Sequence, residues 1–442
     1  MKHLDDEVLS ALALDGAGTP EAETHVKECE ICRNGLAVFR AIDRALRRRE
    51  TWTTVDHGGT PASRIEEVLS YRRRVEKEES DARSLLARII DTPLKFRNAS
   101  IAEKPRLHTE GMVRVLCAEA NARHEQSPKF SEHIAAVAYD VATKLTAIDP
   151  RHQHNLMGLA LREHANALRY LGRFKDALKL LDYAEKLFQG TPGADPFDLA
   201  IVKYIRATVY MKSERLDDGI AAAREAAEAF RDYGDVSRES SAVLVEACCL
   251  LLSGKARPAA ESFERAIGIA RAQGDTPMLA RGLANCAGAL TAIGELGRAE
   301  RYYVEALTLY DELSMDTEKT RAEWALAAIL VLRGEYREGA RRLQTVRSEL
   351  GKLGLTNDRA MATLEWAEAR LVLGHSRDVA EECKRIVVVF ASEDMQRAAR
   401  HALAVLNEAL AEGRATPELL RGVRAYLDRL PSHPDEVFQF TQ

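Results

Sequence analysis

The sequence predicts an all-α fold made mainly of stacked helical hairpins, and three observations carry that expectation. The chain has only 26 Gly and 13 Pro in 442 residues, against an abundance of Ala, Leu, Glu and Arg, which suits helices joined by short turns rather than strands. Glycine recurs at intervals of forty residues, at Gly254, Gly294, Gly334 and Gly374. Small and large apolar residues then return at fixed offsets from each of these glycines. With 46% hydrophobic and 30% charged residues, the chain can bury a large core, which excludes wholesale disorder.

The shared register runs over six units. A small or aliphatic site falls at Ala177, Gly219, Ala259, Ala299, Gly339 and Val379, each twelve residues after Ala165, Ala207, Ala247, Ala287, Ala327 or Ala367. Four positions further on stand Leu181, Ala223, Phe263, Tyr303, Leu343 and Cys383, and three beyond those stand Ala184, Ala226, Ala266, Ala306, Val346 and Ile386. Two antiparallel helices approach closely only where the facing side chains are no larger than Ala or Gly, with a large neighbour filling the adjacent hole. The glycine ending the first helix can turn left-handed without a Cβ penalty. A second break repeats at Gly234-Asp235, Gly274-Asp275 and Gly354, with Ser314 in the skipped place. Each unit therefore reads helix, turn, helix, turn.

Phrases such as ANCAGALTAIGELGRAERYYVEAL, Ala284 to Leu307, resemble the tetratricopeptide repeat family. The forty-residue period is similar to a longer-helix variant of its usual 34-residue unit. The resemblance covers Gly158 to about Phe390, the core repeats of a solenoid spanning residues 109–430. Hairpins around Ser127-Pro128 and around Gly413 to Pro417 read as degenerate caps, and residues 431–442 as a tail. The family implies a right-handed superhelix whose first helices line a concave surface. In this register the inward positions include Arg162, Asn166, Tyr204, Leu244, Asn285, Arg321 and Trp324, suited to a peptide or protein partner.

Residues 1–50 carry a separate signal. His25, Cys29 and Cys32 form an H-x-x-x-C-x-x-C array, whose i, i+4 and i+7 positions are expected on one helix face. Zinc takes four tetrahedral ligands from thiolate and imidazole, and His3, at the head of an amphipathic segment ending at Leu14, is the candidate fourth. A structural zinc would supply stability that fifty residues cannot draw from a core of their own. The stretch His3 to Leu36 resembles the zinc-binding anti-sigma family, which implies His3, His25, Cys29 and Cys32 as ligands. It also implies that this domain and the helix after it, within a connecting region 51–108, bind an alternative sigma factor. The resemblance leaves open an adaptor role in which the zinc domain is structural or a docking module.

Other features point away from catalysis, membranes and nucleic acid. No phosphate loop, G-x-G-x-x-G, H-E-x-x-H or G-x-S-x-G motif occurs, so a non-enzymatic interaction protein is expected. The 63 basic and 68 acidic residues nearly cancel, which disfavours nonspecific nucleic-acid binding. The apolar run Trp324 to Leu332 is far short of the ~20 residues needed to cross a bilayer, and Asp5, Asp6 and Glu7 sit where a secretory signal would be basic. A cytoplasmic, bacterial protein with reduced thiols is the expectation. Cys248, Cys249, Cys286 and Cys383 read as packing residues. The arginine runs at Arg44 to Arg49 and Arg72 to Arg74 read as solvated faces.

Overall fold

The computed structural model describes residues 4, 6–14, 19–29, 32–37, 39–40, 61–89, 101, 104–145, 148–190, 196–392, 397–429 and 438. It forms two compact units, Met1–Ser253 and Gly254–Gln442. No strand occurs among the described residues. In the first unit, α1 (Asp6–Leu14), α2 (Pro20–Glu28) and the long α3 (Pro61–Ile89) precede four hairpin helices, α4 (Glu110–Ala122), α5 (Pro128–Thr143), α6 (Pro150–Tyr170) and α7 (Phe174–Gln189). The unit closes with α8 (Pro196–Lys212), α9 (Leu216–Tyr233) and α10 (Val236–Leu252). The second unit holds α11 (Ala256–Gln273), α12 (Thr276–Ala292), α13 (Leu296–Glu312), α14 (Asp316–Leu332), α15 (Tyr336–Lys352) and α16 (Thr356–Val372). It ends with α17 (Ser376–Ser392), α18 (Arg397–Ala411) and α19 (Pro417–Arg429).

The turn chemistry has a direct conformational cause. Gly234 and Gly274 close α9 and α11 in the left-handed region, at φ 66° and 68°. The aspartate that follows each one caps the next helix: Asp235 accepts from the Arg238 N–H and Asp275 from the Met278 N–H. One Gly-Asp pair thus ends one helix and begins another. Two turns use residues that resist this geometry, Glu214 at φ 61° and Ser314 at φ 55°. An L side chain in the left-handed region costs roughly 1–2 kcal/mol, partly offset by the greater unfolded freedom of glycine. Ser314→Gly is therefore expected to stabilise the second unit by about 0.5–1 kcal/mol, read from the denaturation midpoint. An unchanged or lower midpoint would show that the serine carries no such strain.

The small sites of the register are where the helices meet. Ala165, Ala177, Ala207, Ala247, Ala259, Ala287, Ala299, Ala327, Ala367 and Val379 are all fully buried. A Cβ at Gly219 would lie 2.9 Å from Cys249 Sγ, and one at Gly339 would lie 2.8 Å from Val331 Cγ2. Glycine at those two positions is a packing requirement. Leu181, Phe263 and Leu343 fill the adjoining holes with no exposure.

The ends are built differently. Ala82 and Leu86 of α3 join Met112, Val113 and Leu116 of α4 in one apolar cluster, so the helix within the expected connecting region covers the first hairpin with its second half. At the other end α19 lies against α16, where Leu419, Leu420, Val423 and Tyr426 share a core with Ala360 and Leu364. Phe438 stacks edge-on against Tyr426 at 5.1 Å between ring centres. No described helix is long and apolar enough to cross a membrane.

Candidate functional site

The N-terminal segments pack around a small apolar centre. Leu9 and Leu12 of α1, Ala22 and Val26 of α2, and Cys32 and Leu36 of the helical segment 32–37 are its buried members. Thr19 starts α2 by accepting the Ala22 N–H at 3.2 Å, and Pro20 presets the first turn. The helix stops at Glu28, and Cys29 takes an extended backbone at φ −108°, ψ 112°.

That break corrects the expectation of a single ligand helix. Seven residues of continuous helix would separate His25 and Cys32 by about 10 Å along its axis. With the chain broken at Cys29, Cys32 folds back until its Sγ lies 3.3 Å from His25 Nε2. The ligand atoms of His25, Cys29 and Cys32 all lie within 4.8 Å of one another. Metal–ligand bonds of about 2.0–2.3 Å in a tetrahedron separate ligand atoms by about 3.5–3.8 Å, so this set is within a small side-chain shift of the spacing that one ion needs. The Leu4 N–H donates to Cys32 Sγ at 3.3 Å. Burial pushes the Cys32 thiol up, the Leu4 N–H opposes that rise, and the neighbouring Cys29 adds to it. Two thiols and an imidazole held this close present a donor set that a cation would relieve. His3 lies outside the described residues.

The other thiols belong to the packing. Burial raises Cys117, Cys249, Cys286 and Cys383 to about 12 and Cys248 to about 11, which keeps them protonated and unreactive at neutral pH.

The residues assigned to the inner helix row divide between the two units. In the first, Arg162 reaches Asp198 Oδ1 at 2.6 Å and Glu163 at 2.8 Å. Asn166 Nδ2 lies 3.0 Å from His124 Nδ1, and its Oδ1 accepts from Arg169 Nε at 2.9 Å. Tyr204 meets the buried Phe230 edge-on at 6.4 Å, and Leu244 is half-buried on α10. In the second unit Asn285 is half-buried on α12. Arg321 Nε donates to Asp358 Oδ2 and Trp324 Nε1 to Glu365 Oε2, both at 2.7 Å. Helix α19 extends this network, with Arg424 3.2 Å from Glu365 and Arg421 3.1 Å from Glu368. Donors chosen for a peptide thus spend part of their capacity on the next hairpin. Sequence reasoning missed the acceptors Asp198, Asp358 and Glu365, although an acidic residue 36 to 41 positions after each donor was a readable signal.

No protein-family model matches this sequence, and no curated protein matches it either. Among solved structures, the Signal Transduction ATPase with Numerous Domains protein with a tetratricopeptide repeat sensor from Pyrococcus horikoshii is similar with a TM-score of 0.55 at 14% identity. The match covers 99% of this chain and 65% of that one, so this chain spans less than two thirds of its length. The fold is a tetratricopeptide-like helical solenoid. Aspartyl phosphate phosphatase F from Bacillus subtilis also matches, at 11% identity and a TM-score of 0.49, over 94% of this chain and 98% of that one. A Rap protein complexed with Competence and Sporulation Factor matches at 14% identity and a TM-score of 0.48, over 77% of this chain and 99% of that one. In this solenoid, the paired polar residues above run from one hairpin to the next within each unit.

Proposed function

We propose that this chain is a non-enzymatic, cytoplasmic regulator that works by binding proteins, with a zinc-stabilised N-terminal module and a solenoid that senses or scaffolds a peptide or protein. The observation that carries the zinc reading is the convergence of His25, Cys29 and Cys32 across a broken helix. His3 would complete the set. Bound zinc would cross-link α1, α2 and the 32–37 segment and neutralise the thiolates. The solenoid reading rests on the tetratricopeptide-like fold, which the Pyrococcus protein carries as a sensor.

The finer reading is a zinc-dependent anti-sigma-like transcription regulator, supported by the spacing from His3 to Leu36. A second reading, a scaffold or adaptor for a signalling or defence protein, is favoured by one observation. Val75, Ala82 and Leu86 of α3 are buried, so one apolar face of the helix that the first reading offers to a sigma factor is already covered. Purified alternative sigma factors from the same organism, titrated against the full chain, separate the two. Saturable 1:1 binding that is lost in Cys29→Ser supports the anti-sigma reading, and no binding by any of them removes it.

A further inference from the structure

The contact between α3 and the first hairpins is held by a polar clasp. Glu110, the first residue of α4, has its side chain 1% exposed, yet it is a carboxylate and therefore needs charged or donating partners. They come from three elements. Tyr71 of α3 donates its hydroxyl to Glu110 Oε1 at 2.6 Å, Arg114 of α4 lies 2.8 Å from the same oxygen, and His152 Nε2 of α6 lies 3.0 Å from Oε2. The Tyr71 hydroxyl is also 3.2 Å from His152 Nε2. Burial alone would raise the Glu110 carboxyl, but hydrogen bonds from His152, Tyr71 and Arg114 outweigh it and hold the group at about 2. Two turns further along α3, Glu78 Oε2 accepts the Gly111 N–H at 3.0 Å. A Cβ at Gly111 would lie 2.5 Å from Glu78 Cβ and from the Glu79 nitrogen, so the two backbones touch there.

Apolar contact supplies the rest of the joint through a few side chains. Among the described side chains of α3, Val75, Ala82 and Leu86 are the buried apolar ones and Leu85 packs half-buried against the same cluster, whereas Leu69 is 46% and Tyr71 38% exposed. Interfaces that separate and re-form are more polar than a permanent core, and a helix held by few apolar contacts opens at lower free energy than the structure beneath it. Beneath it, Leu116, Ile134, Ala138 and Leu156 of α4–α6 belong to the same cluster as Ala82 and Leu86 and have no exposure.

The geometry points to α3 as a reversible latch that the Tyr71–Glu110–His152 clasp docks onto the first two hairpins, and that releases as a unit without unfolding them. Release exposes the Val75, Ala82 and Leu86 face, and docking withholds it from any partner. This holds whether or not the N-terminal module binds zinc.

Hydrogen exchange of the full-length protein, with Tyr71→Phe and Glu110→Gln, tests the latch. Tyr71→Phe removes one hydrogen bond to a charged group, so amides of residues 75–89 are expected to exchange at least about tenfold faster. Amides of α4, α5 and α6 should stay within about twofold of wild type. Glu110→Gln should accelerate α3 further. Equal acceleration of α4 and α5 would make α3 an integral cap and overturn the proposal, as would unchanged α3 exchange in both variants. Should Glu110→Gln fail to fold, the wild type decides: α3 must open faster than α4, and identical protection in the two helices sinks the latch.

Discussion

Cys32→Ser is expected to abolish stoichiometric zinc in the purified protein and to unfold the N-terminal module while the solenoid keeps its helical signal. The reason lies in how little else holds that module. Among its described residues the buried apolar side chains are few, with Leu9, Leu12, Val26 and Leu36 the largest, and so small a core is marginal without a staple. Structural zinc contributes about 10–16 kcal/mol of apparent binding free energy at neutral pH, as much as the whole stability of an ordinary domain. Cys32 is also the thiol at which the contacts converge, since His25 Nε2 and the Leu4 N–H both approach its sulfur at 3.3 Å. Serine keeps the volume and removes the soft donor. Elemental analysis gives the zinc content, and limited proteolysis of residues 1–40 gives the folding state. Cys286→Ser, in a fully buried packing site of α12, is the control and should leave zinc content unchanged. A Cys32→Ser protein that retains one equivalent of zinc, or a folded metal-free module, would remove zinc from the account.

The solenoid was legible because its packing rule is local and repeated. Ala287 and Ala299 are both fully buried, and a Cβ at Gly339 would lie 3.5 Å from the Ala327 carbonyl oxygen, the two pairs sharing a twelve-residue offset. A rule imposed by the same backbone approach in every hairpin leaves the same small residue behind. The left-handed turns were readable for the same reason, and Ser314 shows that a turn position persists even when its glycine is replaced. The spacing of His25, Cys29 and Cys32 was visible too, but the local path was not. The break at Cys29 depends on where the chain must fold back to bring Cys32 toward His25, which periodicity does not encode. Least legible were interactions that occur once. Tyr71 and Glu110 are 39 residues apart and Tyr71 and His152 are 81 apart, and no repeat marks them. The inner-row donors lie between these cases, because Arg162 with Asp198 and Arg321 with Asp358 recur at nearly one repeat length.

Trp324→Ala is expected to destabilise the second unit by about 2–4 kcal/mol, below the ~3–5 kcal/mol range of a wholly buried large aromatic only to the extent that the ring is partly exposed. The ring packs against Val346, Leu350 and Ala362, and also against the cluster that contains Leu364 and Val423. Its indole N–H donates to Glu365, a carboxylate that Arg424 of α19 also approaches at 3.2 Å. Removal of the ring therefore opens a void between neighbouring hairpins and strips one donor from Glu365, while Arg424 limits the electrostatic part of the loss. Trp324→Phe separates the two contributions: it keeps most of the apolar contact and should cost about 1 kcal/mol. Denaturant titration of each variant reads these losses from the midpoint at constant slope. An anchor for a bound peptide would behave in the opposite way, with partner affinity reduced by ~2 kcal/mol or more and stability nearly unchanged. A stability loss under about 1 kcal/mol in Trp324→Ala would show that the packing between hairpins does not depend on this ring, and the side chain would then be available to a ligand.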